Sequence, residues 1–129
     1  MLIYLDTSVA LAQLLAEDRS PPAALWAESL VSSRLLEYEV WTRVHARGLG
    51  GSHGTDVRQL LGRIAFLELA PPVLARAIEP FPAPVGTLGA LHLASADFLR
   101  RQGQDVRLAT YDGRMCEMAL GLGIPRYAL

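Results

Sequence analysis

The feature that most constrains this chain is a regular alternation of short apolar segments with longer amphipathic ones. Four short segments have the apolar character of buried strands, and they cover residues 2–5, 30–33, 66–69 and 106–109. In the stretches between them, apolar residues recur at every third or fourth position, as on one face of a helix. Strands that alternate with helices predict a parallel sheet with helices on both faces. We therefore predict an α/β fold, in which a three-layer α/β/α sandwich surrounds a mostly parallel sheet of four to five strands. The fifth strand would be a short one over residues 126–128.

Capping residues and helix breakers set the predicted helix boundaries. The motif Asp6-Thr7-Ser8 can cap a helix directly after the first strand, and Gly48, Gly50 and Gly51 end the helix that begins at residue 35. Paired prolines open two further helices, because proline is tolerated in a first helical turn. The predicted helices are 9–16, 23–28, 35–47, 56–64, 71–78, 88–101 and 115–122. The chain has 129 residues without a linker or repeat, which predicts a single domain over 1–129.

Composition and charge narrow the function classes. The net charge is −1, so contact with nucleic acid requires a local basic patch rather than a global positive field. No apolar run approaches the roughly 20 residues that span a bilayer, and the start of the chain lacks the basic region of a signal peptide. We therefore expect a cytoplasmic protein without membrane contact. The hydrophobic fraction of 51% is high for a small domain and indicates a buried partner interface.

Three acidic residues are expected at one edge of the sheet. Asp6 follows the first strand, Asp112 follows the fourth, and Glu39 lies in the first full turn of the helix after the second. Ligands of parallel sheets gather outside the carboxyl ends of the strands, and clustered carboxylates repel unless a hard cation such as Mg²⁺ or Mn²⁺ neutralises them. The alternative for each acid is structural, because Asp6 and Asp112 can cap helices and Glu39 can pair with Arg43.

Four segments in order, LDTSV, SSRLLEYEVWTR, TLGALHLASA and TYDGRM, resemble the recurring blocks of PIN-domain toxins of the VapC family. The resemblance extends over nearly the whole chain and implies a PIN-like fold, a ribonuclease that uses Mg²⁺ or Mn²⁺, an RNA substrate, a cognate antitoxin and a homodimer. By the same resemblance, Asp6, Glu39, residue 89 and Asp112 are the acidic positions. Glu39 is preferred over Glu37 because the block EVWTR matches the family's glutamate.

The third block departs from the family pattern, because Gly89 stands where an aspartate is expected. No neighbour obviously replaces that acid: Asp97 lies about 12 Å further along the same helix. His92, about one turn after Gly89, could bind a metal such as Mn²⁺, but we favour a partly buried, hydrogen-bonded histidine. One carboxylate fewer predicts weaker binding of Mg²⁺ and reduced or absent catalysis.

Hydroxyl and basic side chains near these acids are secondary candidates. Thr7, Ser8 and Thr110 could each place a hydroxyl beside the metal, although capping or strand-end hydrogen bonding explains them equally well. Arg43 and Arg47 lie about one and two turns beyond Glu39 and offer a basic edge for phosphate, while ordinary solvated arginines are the alternative.

Two functions therefore remain open. In the first, Asp6, Glu39 and Asp112 hold the metal of a ribonuclease toxin. In the second, favoured by Gly89, a degenerate PIN domain binds an antitoxin and regulates without cleaving RNA. A phosphoacceptor receiver domain would also have an acidic pocket at strand ends, but the chain contains no lysine, which argues against it.

Overall fold

The computed structural model describes residues 1–129 and contains one four-stranded sheet in which every neighbouring pair is parallel. Its strands are β1 (Leu2–Leu5), β2 (Leu30–Ser33), β3 (Ile64–Leu67) and β4 (Val106–Ala109). They lie in the order β3-β2-β1-β4, and in the register Ile3 faces Leu30 on one side and Arg107 on the other. The carboxyl ends of all four strands consequently lie at the same edge.

Six α-helices and one short 3-10 helix connect the strands. The helices are α1 (Thr7–Leu14), α2 (Arg34–Ala46), α3 (Gly50–Leu61), α4 (Pro71–Ala77), α5 (Thr87–Arg101) and α6 (Gly113–Gly121), and the 3-10 helix covers Ala23–Ala27. No helix is both long and apolar enough to cross a bilayer.

Alternation along β1 divides the core into two layers. Ile3 and Leu5 pack with apolar residues of α1, α2 and α3, whereas Tyr4 faces the opposite side and packs with residues of α5 and α6. Successive side chains of a strand point to opposite faces, so the sheet is covered on both sides. The predicted three-layer α/β/α sandwich with a parallel sheet is confirmed.

The elements around Gly48 and Gly50 differ from their predicted bounds. Gly48 alone ends α2, with φ at +67°, because Gly48 N–H donates to His45 and Leu49 N–H donates to Val44 in a left-handed helix cap. Gly50 then opens α3, six residues before the predicted start. The strand β3 begins at residue 64 rather than 66 because α3 also ends earlier.

Two further differences between the predicted and the observed elements concern short segments. The predicted helix over 23–28 is a 3-10 helix, since its five residues are closed by i→i+3 hydrogen bonds. The predicted terminal strand is a single bridge between Leu108 and Arg126. Pro125 precedes that bridge and has no N–H to donate, so the ladder does not extend.

Candidate functional site

The carboxyl ends of β1 and β4 bring Asp6 and Thr110 together. Oδ2 of Asp6 accepts hydrogen bonds from the Ser8 hydroxyl at 2.6 Å and from the Thr110 hydroxyl at 2.8 Å. Those two hydroxyl oxygens accept in turn from the backbone N–H groups of Tyr111 at 3.2 Å and Asp112 at 3.0 Å. Asp6 is buried, and its Oδ1 has no hydrogen bond within the protein and reaches solvent. The carboxylate is thus held through one oxygen and free through the other.

Glu39 is held in the same way from the other side of the site. Its Oε1 accepts a hydrogen bond from the Thr7 hydroxyl at 2.8 Å and lies 2.6 Å from Nε2 of His92, while Oε2 has no partner within the protein. Burial raises the pKa of Glu39, but the hydrogen bonds from His92 and Thr7 outweigh it and keep the pKa below its ordinary value. Glu37 instead pairs with Arg34 at 2.8 Å, so the glutamate that enters the site is Glu39.

His92 is a buried, hydrogen-bonded histidine, as predicted. It is 2% exposed, and its Nδ1 lies 2.8 Å from the Tyr4 hydroxyl. The Tyr4 oxygen also accepts a hydrogen bond from the backbone N–H of Ser33 at 3.1 Å, and burial raises the pKa of Tyr4 above its ordinary value. The imidazole therefore joins Tyr4 in β1 to Glu39 in α2. This connection was not predicted, because Tyr4 reads in the sequence as one more apolar strand residue.

Gly89 occupies the third position of α5, and the space beside it is filled. A Cβ atom at residue 89 would lie 2.8 Å from Cγ2 of Val85 and 3.8 Å from Cε of Met115. The first distance is shorter than the ordinary carbon–carbon contact of about 3.5–4.0 Å. Val85 thus stands where the side chain of the expected acid would begin.

Asp112 is exposed and serves as the N-cap of α6. Its Oδ1 accepts from the N–H groups of Arg114 at 3.0 Å and Met115 at 3.3 Å. Asp6 occupies the equivalent position before α1, yet its side chain makes no capping hydrogen bond. No three histidine, cysteine or carboxylate side chains are grouped so that they could hold a metal ion. A convergence of three carboxylates is therefore not observed, and the role of Asp112 as a metal ligand stays a prediction.

Asp6 and Glu39 line the same open cleft, with a volume of about 620 Å³. We call it the acidic cleft, and its polar walls are Asp6, Thr7, Ser8, Glu17, Asp18, Arg19, Glu39, Arg43, Arg47 and Tyr111. The predicted secondary candidates Thr7, Ser8 and Arg43 are among them, whereas His92 and Thr110 stand behind the wall as hydrogen-bond partners.

The sequence reading missed Arg19 and Tyr111 in this cleft. The Arg19 guanidinium lies over the Tyr111 ring at 5.3 Å and donates to the Tyr111 carbonyl oxygen at 2.8 Å. Tyr111 adjoins Asp112 in the fourth block and could have been found there. Arg19 follows α1 in an irregular stretch, where no periodic pattern predicts its direction. Both residues add a cationic and aromatic border to the cleft.

The donor set in the cleft suits a cation of the Mg²⁺ type. Such an ion is usually bound by one or two carboxylates, several waters and substrate phosphate rather than by a protein cage. Asp6 and Glu39 each have one oxygen without a partner, and hydroxyls of Thr7 and Ser8 lie beside them.

Two comparisons with known proteins found similar sequences. The family model described as PIN domain matches residues 3–120. Ribonuclease VapC47 of Mycobacterium tuberculosis (strain CDC 1551 / Oshkosh) is 31% identical over 121 residues, which cover 88% of this chain and 87% of that protein. The matched residues include every acidic position considered above.

Proposed function

Because the chain belongs to the PIN-domain family, in its VapC branch, we propose that it is the ribonuclease toxin of a toxin–antitoxin pair and that it cleaves RNA with Mg²⁺ or Mn²⁺. The observation that carries this proposal is the acidic cleft, in which two carboxylates with free oxygens lie beside three arginines. Carboxylates for a hard cation next to guanidinium groups for phosphate form the combination that metal-assisted phosphodiester cleavage requires.

Asp6 and Glu39 are the residues proposed to hold the cation. Asp112 remains a predicted third ligand through Oδ2, since only Oδ1 is engaged in capping α6. When bound, Mg²⁺ or Mn²⁺ supplies Lewis acidity that polarises a phosphoryl oxygen and favours ionisation of water.

The chain's own side chains prepare this chemistry in two ways. Hydrogen bonds from Thr7 and His92 keep Glu39 ionised at neutral pH, because they hold its pKa below the ordinary value. Arg43 in α2 and Arg47 directly after it line the cleft. Arginines at such a position orient an RNA backbone through its phosphates without reading its sequence. The metal and the phosphate groups would thus be brought to neighbouring parts of one cleft.

The proposed partners are a cognate antitoxin, an RNA substrate and a second copy of the chain, in the cytoplasm. Several large apolar side chains are exposed, with Ile78 at 88%, Leu120 at 67% and Tyr38 at 65%. Such side chains are common singly on protein surfaces, so the proposal of protein partners rests on the family to which the chain belongs. Co-expression with the product of a neighbouring short reading frame, followed by size-exclusion chromatography with light scattering, tests both assemblies.

A second candidate function is a PIN domain that binds an antitoxin without cleaving RNA. Gly89 favours it, because the expected acid is absent and Val85 fills the adjacent space. The two candidates differ in whether the acidic cleft turns over RNA.

Cleavage of a structured RNA, with and without Mn²⁺, distinguishes these functions. We expect cleavage that disappears on addition of EDTA and in the Asp6→Asn variant, which keeps the shape of the side chain but loses its charge. The control is Asp105→Asn, since Asp105 is exposed and lies outside the acidic cleft. Cleavage that persists in Asp6→Asn would contradict the ribonuclease proposal, and absence of cleavage at every Mn²⁺ concentration would favour the binding protein.

A further inference from the structure

We propose that His92 is a positioning residue that donates its Nε2 proton to Oε1 of Glu39, and that it fixes Glu39 so that the free oxygen Oε2 serves the acidic cleft. This inference rests on the proposed function for its effect on cleavage. It does not assign His92 a place among the metal ligands or the groups that touch RNA, because the imidazole lies behind Glu39 and outside the lining of the cleft.

Hydrogen bonds hold the ring of His92 through both of its nitrogens. The backbone N–H of Ser33 can only donate, so the Tyr4 oxygen accepts from it at 3.1 Å. The same hydroxyl lies 2.8 Å from Nδ1 of His92 and so anchors the nitrogen that does not face Glu39.

The Nε2 proton points toward Glu39. Oε1 of the ionised carboxylate can only accept, and it lies 2.6 Å from Nε2, a short distance of the kind found when one partner is charged. The Thr7 hydroxyl donates to the same oxygen at 2.8 Å. Both donors thus act on Oε1, which leaves Oε2 as the oxygen that faces a ligand.

This arrangement gives Glu39 the kind of support that Asp6 receives from Ser8 and Thr110. A glutamate side chain on a helix has three rotatable bonds and loses considerable rotamer freedom when it is fixed. Thr7 alone provides one hydrogen bond, whereas His92 adds a second from a fully buried ring that Tyr4 prevents from turning. Outer-shell partners of this type typically change metal affinity or activity by about 10–100-fold.

The test compares His92→Leu, which removes both hydrogen bonds, with His92→Gln, whose amide can donate toward Glu39 and accept from Tyr4. Leu93→Val is the control, since Leu93 is the adjacent buried residue of α5 and an apolar side chain that takes no part in these hydrogen bonds. The readouts are kcat and KM for RNA cleavage with Mn²⁺, the affinity for Mn²⁺ alone, and the imidazole ¹⁵N shifts of the unmodified protein.

We expect ¹⁵N shifts of a ring that carries a proton on Nε2. In His92→Leu we expect a loss of about 10–100-fold in kcat or in Mn²⁺ affinity, with KM for RNA nearly unchanged and with most of the loss recovered in His92→Gln. A ring that carries its proton on Nδ1 alone would overturn the inference, because Nε2 could then not donate to Glu39. Equal losses of kcat or Mn²⁺ affinity in His92→Gln and His92→Leu would also overturn it, because the hydrogen bonds that Gln can restore would then have no effect.

The two proposals fail separately. If the unmodified protein does not cleave RNA, the ribonuclease proposal is refuted, while the ¹⁵N shifts and the Mn²⁺ affinities still decide the role of His92. If His92→Leu does not fold, the shifts of the unmodified protein and the behaviour of His92→Gln decide it.

Discussion

Restoring the missing acid at residue 89 is predicted to require a second change at residue 85. In Gly89→Asp the new Cβ atom would meet Cγ2 of Val85 at 2.8 Å. Overpacking of this kind costs about 1–3 kcal/mol. Replacing a helical glycine recovers about 0.5–1 kcal/mol, and an acid in the first turn of α5 adds about 0.3–1 kcal/mol. We expect the single substitution to lower the free energy of unfolding by up to about 2 kcal/mol.

Val85→Ala removes the methyl groups that the new side chain meets. We therefore expect the double variant to have a free energy of unfolding about 1–2 kcal/mol higher than the effects of the two single substitutions add up to. This coupling is within the range for residues in contact. Urea unfolding of the four proteins measures this coupling through their midpoints and slopes. Additivity to within about 0.5 kcal/mol would refute the steric argument and show that Val85 moves aside without cost.

The same four proteins test the effect of the acid on cleavage. We expect Mn²⁺-dependent RNA cleavage to rise in Gly89→Asp and to rise further when Val85→Ala is added, because the carboxylate then takes its position without strain. Gly89→Asn in the Val85→Ala background is the matched control, with the same shape and no charge. Equal cleavage by the Asp and Asn versions would remove residue 89 from any account of activity.

Three further predictions concern stability and RNA binding. Asp97 is fully buried and accepts hydrogen bonds from Arg76 at 2.7 Å and Arg100 at 2.9 Å. Asp97→Asn should therefore lower the free energy of unfolding by about 3–5 kcal/mol. An unchanged urea midpoint would contradict this prediction. Burial raises the pKa of Asp97, but Arg76 and Arg100 outweigh it and hold the pKa below its ordinary value. The folded state therefore binds this proton less readily than the unfolded state, so the stabilisation is present above about pH 4 and declines as the pH falls through the folded pKa. The difference in urea midpoint between the unmodified protein and Asp97→Asn should therefore shrink on acidification. A difference that stays constant would argue that the negative charge of Asp97 does not stabilise the fold. Arg43→Ala should weaken RNA binding by a similar factor for all RNA sequences, and the dependence of RNA affinity on salt concentration should fall by about one phosphate contact. Fluorescence anisotropy measures both effects. A loss of affinity that differs between RNA sequences would argue against a phosphate contact.

The strands could be predicted where the sequence has short apolar runs bounded by polar residues. β1, β2 and β4 have the predicted bounds. The error at α3 arose from Gly50 and Gly51, since glycine commonly ends a helix and no local rule marks a helix that begins with two of them. The tertiary contacts of Val57 and Leu60, both in the core, stabilise α3 despite its weak start.

The candidate site could be predicted only in part. Asp6 and Glu39 follow from strand-end placement and from the resemblance, and both line the acidic cleft. The pairing of Tyr4 with His92 joins residues 88 positions apart, and no local pattern in either segment carries that information. The expected metal role of Asp112 stays a prediction, because its side chain caps α6 through Oδ1 and does not line the acidic cleft.

The hydroxyls of Ser8 and Thr110 have a consequence for ligand binding. Each hydroxyl has one proton and gives it to Asp6, while its oxygen accepts from the backbone after β4. Folding thus orders the carboxylate and the loop that bears Tyr111 together, before any ligand arrives. A cation or phosphate that enters the cleft finds Asp6 already immobile, so little of its binding free energy is lost to restricting these side chains.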